Sequence, residues 1–250
     1  MMLNFKSIRT KLIIYLACFA VFLAIKDNDL VFLTKTLIAV ISALAAEAFV
    51  SYLKSKKAQL TESAVITGLI IGFVLNSGQP WFYFVFASAA AIISRYLIRY
   101  QNRPVFNPAA LGIFLSVLLL GAFTQWRGTY LWHIIIPLGF YFVYKLRKAE
   151  VIVGYTIVFF VLFGAQALLF RSPFLGILGY LSYFYIFVMV IEPKTSPTKK
   201  LVKYLFGAGV AVVIFILNNV GGKFEVELLG LLFMNGATTM LNMKRGTNYA

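Results

Sequence analysis

Apolar runs of bilayer-spanning length recur from one end of this chain to the other. They fall at roughly 12–25, 31–53, 63–76, 80–98, 105–123, 130–145, 150–170, 174–191, 201–218 and 225–243, and most approach the ~17–25 residues that cross a ~30 Å hydrocarbon core as a helix. Lipid offers no partner to a backbone N–H or C=O, so such segments must be helical. The expected fold is therefore an all-α polytopic membrane protein with about ten transmembrane segments. A water-soluble domain could not hide a composition that is 61% hydrophobic and only 12% charged.

The third and fifth segments, starting near Ser63 and Val105, are short and carry Gly or Pro, which suits half-spanning or broken helices. Topology is counted here with all ten crossing. That number also admits a five-plus-five inverted repeat with half-helices. No Pro/Gly/Ser-rich linker and no soluble stretch interrupts the pattern, so residues 1–250 read as a single transmembrane domain. The run through Leu16-Ala17-Cys18 stays apolar to Ile25, which favours an uncleaved first helix over a signal peptide.

Basic residues set the orientation, because cytoplasmic loops retain them. Of the 23 Lys and Arg, 18 fall in one alternate set of loops, in clusters such as Lys54/Lys56/Lys57 and Lys145/Arg147/Lys148. The other set holds Lys26, Arg127, Arg171 and Lys223, with Lys35 just inside a segment. Both termini are thus expected in the cytoplasm, with Trp81, Trp126, Tyr130 and Trp132 near the outer interface. The net charge of +15 is spread as short clusters between apolar runs, which argues for anionic lipid as the partner and against nucleic acid.

The residues exclude several chemistries. Cys18 is the lone cysteine, so no intrachain disulfide or all-cysteine metal site can form. His133 is the lone histidine and lacks metal-binding companions in the sequence. No nucleophile-and-base arrangement appears, so enzymatic activity would come only from a larger assembly. Gln166 and Asn218 suit interhelical hydrogen bonds.

Three polar stretches stand out against the apolar background. Glu47 lies inside the second segment, where a carboxylate is costly and marks a functional candidate; the alternative is pairing toward the lysines near residue 54. Soon after it, Thr67 can hydrogen-bond a ligand or a neighbouring helix, and Gly68 and Gly72 present a small-residue face that equally suits close helix packing. Asn107-Pro108 reads as a helix start, which would aim N–H donors at an anion or a flavin edge if it lay at membrane depth. Finally, Glu192-Pro193-Lys194-Thr195-Ser196-Pro197 combines a carboxylate, two prolines and two hydroxyls on a basic loop.

Taken in order, Glu47, then Ser63-Ala64 with Thr67-Gly68, then Phe106-Asn107-Pro108-Ala109, then Glu192 to Pro197 resemble the RnfD/NqrB family, which takes in one membrane component of the Rnf complex and one of the sodium-translocating NADH:quinone reductase. The last segment, Glu227 to Asn235, resembles the family's final helix. The resemblance implies a plasma (inner) membrane subunit of an ion-translocating electron-transport complex, partnered by other Rnf/Nqr-type membrane subunits and the lipid bilayer. It also implies flavin, as FMN or riboflavin, with Thr67, Gly68, Asn107, Pro108, Glu192, Thr195 and Ser196 as the binding candidates.

One departure bears on that flavin. The family's covalent FMN sits on a Thr in a Ser/Thr-Gly-Ala-Thr motif between helices five and six, but the short stretch from Gly121 to Thr129 has no such motif. Asn235-Gly236-Ala237-Thr238-Thr239 mimics it, yet lies ~15 Å or more into the last segment at 1.5 Å per residue. Helix packing is the expected role there, and any flavin is expected to be non-covalent. The missing anchor keeps a second reading open, a stand-alone transporter or channel for a small solute such as a flavin.

Overall fold

The computed structural model describes residues 7–171, 173–221 and 225–244. Among them the chain forms α1 (Ile8–Lys26), α2 (Leu30–Ser55), α3 (Glu62–Val74), α4 (Trp81–Leu97), a two-residue pairing of β1 (Arg99–Tyr100) with β2 (Arg103–Pro104), α5 (Pro108–Leu120), α6 (Trp132–Leu146), α7 (Ala149–Leu169), α8 (Lys200–Val220) and α9 (Val226–Lys244). The molecule is an all-α polytopic membrane protein. Helices α1, α2, α7 and α8 are long and apolar enough to cross a bilayer. Large apolar side chains such as Ile41, Ile157 and Leu205 are exposed along them, as lipid-facing residues must be.

Two compact units divide the chain. The first holds α1 to α4 and residues 108–130 with α5; the second holds residues 100–107 and everything from 131 onward.

In the first unit, local chemistry starts each helix. Ser7, Asp29 and Thr61 are N-caps whose side chains accept from the N–H groups of Arg9, Phe32 and Ala64. Helix α3 packs on α2 through its glycines: a Cβ on Gly68 would lie 2.8 Å from the Val40 nitrogen, and one on Gly72 would meet the Thr36 side chain. The Ser88 hydroxyl of α4 donates to the Ala39 carbonyl of α2 at 2.9 Å. At the start of α3, Glu62 accepts from the hydroxyls of Ser7 (3.3 Å) and Thr10 in α1.

Helices α3 and α5 have 13 residues each, about 20 Å at 1.5 Å per residue, which is too short for a ~30 Å core. The assumption that all ten segments cross as full helices fails here. Their far ends are extended chain, bridged at Leu75 and Thr124. Asn76 N–H donates to the Phe123 carbonyl (3.0 Å), and the N–H groups of Gln125 and Arg127 donate to Val74 and Phe73 (2.7 and 2.8 Å). This mutual pairing satisfies carbonyls that a helix end would otherwise leave bare.

The second unit packs α7 on α8 by reciprocal glycines, Gly154 against the Tyr204 carbonyl and Gly207 against that of Val151. Gln166 does hydrogen-bond across these helices, but to Asn219 (2.6 Å) rather than Asn218. The segment expected as a continuous span over 174–191 is not one: Phe174–Tyr180 is a 3₁₀ helix, and Tyr185–Met189 is a π-helical turn. Gly176 and Gly179 weaken α-helix there, and the Ser182 hydroxyl accepts from Tyr185 N–H at 3.4 Å, restarting the chain locally.

Candidate functional site

In the first unit, Glu47 projects from α2 toward α4 and is 1% exposed. It forms an ion pair with Arg95, whose side chain is 8% exposed, and accepts from the Tyr96 hydroxyl (2.8 Å) and that of Thr61 (3.5 Å). Ala43, Ala64 and Ile92 close an apolar shell nearby. The expected alternative for Glu47, pairing toward the lysines near residue 54, is therefore replaced by a buried partner on another helix. In the sequence Arg95 stands out only as a topology signal, because its distance along the chain hides that α4 runs beside α2.

Thr67 donates its hydroxyl to the Ser63 carbonyl (2.8 Å), a bond within its own helix, and the Cα face of Gly68 is filled by α2. Pro108 is buried as the first residue of α5, where its missing N–H costs nothing.

A second polar cluster in this unit has no counterpart among the sequence-based candidates. Arg127 reaches Asp29 at 2.7 Å and Asp27 at 3.5 Å, and donates to the Ser77 hydroxyl at 3.1 Å. Ser77 donates to Asp29 (3.2 Å), Tyr130 donates to Asp27 (2.7 Å), and the Arg127 guanidinium lies 4.8 Å from the Phe32 ring centroid. Burial alone would raise the Asp29 carboxyl, but the Phe32 N–H, Arg127 and Ser77 prevail and hold it below its ordinary range. Since Arg127 also bonds to Phe73 through its backbone, this cluster ties the α1–α2 turn to the ends of the half-length helices.

In the second unit, four of the candidate residues come together. Asn107 is 1% exposed; its N–H donates to the Asn235 side chain (2.9 Å) and its amide donates to the Met189 carbonyl (3.2 Å). Asn235, wholly buried on α9, donates in turn to the Thr195 carbonyl (3.2 Å). Ser196 turns back on Glu192, donating its N–H (3.1 Å) and hydroxyl (2.7 Å) to that residue's carbonyl. From the other side Lys148 donates to the carbonyls of Ser196 (3.2 Å) and Pro197 (2.8 Å). Burial, then the charges of Lys203 and Arg103, push the Lys148 ammonium down to about 8, with Glu150 acting the other way.

The flavin expectation meets a physical objection at Asn107, because its backbone N–H and its amide donor are both engaged by the protein. A flavin edge finds no spare donor from this side chain, so no redox step is derived through it. Thr238 and Thr239 are buried and donate to carbonyls of their own helix, at 2.7 Å to Met234 and 2.9 Å to Asn235. Among the described residues no group of His, Cys, Asp or Glu is arranged to hold a metal ion.

Half-length helices with paired ends, an interrupted eighth segment and polar residues buried between apolar helices define a multi-pass membrane protein of the transport and translocation kind. Residues 3–133 match the model of the NQR2, RnfD, RnfE family. The chain belongs to that family. It is 38% identical over 84 residues to the RnfD-type component of the ion-translocating oxidoreductase complex of Cronobacter sakazakii, a stretch covering 32% of this chain and 24% of that relative. The aligned part thus spans about a quarter of the relative's length.

Proposed function

We propose that this chain is an inner-membrane subunit of an Rnf- or Nqr-like ion-translocating electron-transport complex, with other membrane subunits of that type as its partners. Family membership carries the reading, because the matched residues 3–133 include the whole half-helix framework of α1 to α5. Non-covalent FMN or riboflavin belongs to this proposal as a cofactor of the assembled complex and not as a ligand of the Asn107 amide. The chain's own contribution is a scaffold: short helices whose ends are satisfied by each other can line a polar path without exposing bare backbone to lipid.

Affinity purification of the tagged chain from its native membranes, followed by identification of what comes with it, tests the proposal. Rnf- or Nqr-type membrane subunits in defined ratio are expected. A chain that purifies alone and carries a flavin or another small solute across vesicle membranes would instead establish the stand-alone transporter.

A further inference from the structure

Lys148 is 3% exposed, yet the acceptors it bonds to, the carbonyls of Ser196 and Pro197, carry no charge. The neighbouring carboxylate, Glu150 of α7, pairs with Lys203 of α8 instead (3.2 Å). Lys203 also donates to the carbonyl of Arg147 at 2.7 Å, and the Arg103 charge from β2 acts on Lys148 as well. A buried ammonium is thus surrounded by like charges and balanced only by dipoles, which is costly for the charged form.

The geometry of the loop makes that cost conditional. On one side Met189 and Thr195 are held through their carbonyls by the neutral amides of Asn107 and Asn235. On the other, Ser196 and Pro197 are held by Lys148 alone among these side chains. If the loop's last residues lift away, the Lys148 amine reaches water and its charge becomes cheap. The lifted arrangement therefore binds the proton more tightly than the docked one.

We propose that Lys148 makes the Glu192–Pro197 loop proton-responsive: proton uptake on its amine loosens the end of the loop, and proton loss seals it. The candidate residues Glu192, Thr195 and Ser196 lie on this loop, so their presentation would follow proton activity on that side of the membrane. The inference does not depend on membership of an electron-transport complex. Its window follows from the docked amine titrating at about 8 and a solvated one at its ordinary 10.5. Docking strengthens as pH rises between those values and is unchanged by pH below them.

The test uses the full chain in zwitterionic nanodiscs, with Cys18→Ser and a nitroxide on Thr198→Cys at an exposed position beside the loop. Spin-label mobility is followed from about pH 6 to about pH 11. The mobile fraction should fall through the window and stay flat below it, and Lys148→Met should abolish the change. Lys203→Met, which removes a like charge, should move the onset to higher pH, and so serves even where Lys148→Met fails to insert. A flat wild-type profile, mobility that rises with pH, a titration surviving Lys148→Met, or an onset unmoved by Lys203→Met overturns the proposal.

Discussion

Glu47 and Arg95 form an ion pair between α2 and α4 in which both side chains are almost completely withdrawn from solvent. Removing one partner leaves the other charge buried, a cost of about 3–5 kcal/mol, whereas replacing both with apolar residues can be nearly neutral. Arg95→Leu should therefore be much less stable than the Glu47→Leu/Arg95→Leu double variant. Thermal unfolding in detergent measures this, and a double variant whose loss equals the sum of the two singles would show that the pair is not coupled.

Orientation can be read from exposed residues at opposite ends of the helices. Ser77, an obvious labelling position from sequence, is buried and bonded to Asp29, so Gln125 and Thr198 are better probes. In a Cys18-free background, Gln125→Cys should react with an impermeant thiol reagent in intact cells, and Thr198→Cys only after lysis. The reverse pattern would place the termini outside.

No covalent flavin is expected, since the Thr238 hydroxyl is buried and bonded to its own helix. The denatured band should show no in-gel flavin fluorescence even with a flavin transferase co-expressed. Fluorescence abolished by Thr238→Ala would sink this reading.

Asn107→Ala removes the donor to the Met189 carbonyl and should lower stability by about 1–3 kcal/mol, the cost of a buried acceptor left unpaired. Flavin content of the purified chain, from absorbance before and after acid precipitation, should not change beyond what the stability loss explains. Selective loss of flavin at unchanged melting temperature would return Asn107 to the ligand site.

The Asp29 cluster predicts acid sensitivity of a definite sign. Because the folded carboxyl titrates below its ordinary 3.8, its contribution is complete above that value and is lost as pH falls through the lowered one. Melting temperatures of wild type and Asp29→Asn should differ above about pH 4 and converge below it. A gap that persists unchanged in acid would assign the effect to something other than the carboxylate charge.

Membrane residence, helix type and most helix positions were legible in the chain itself, because the spacing of apolar runs is a local property that lipid and backbone hydrogen bonding turn directly into structure. The shortness of α3 and α5 could be suspected from Gly and Pro. Their end-to-end pairing through Leu75 and Thr124 could not, since it joins residues far apart in sequence. The same holds for the sites. Glu47, Asn107 and the Glu192–Pro197 loop were visible as polar residues in apolar surroundings, whereas Arg95, Asn235 and Lys148 looked like a topology signal, a packing motif and a loop cation. What each of those groups does depends on which partner meets it once burial removes water. Only the packing of one helix on another decides that.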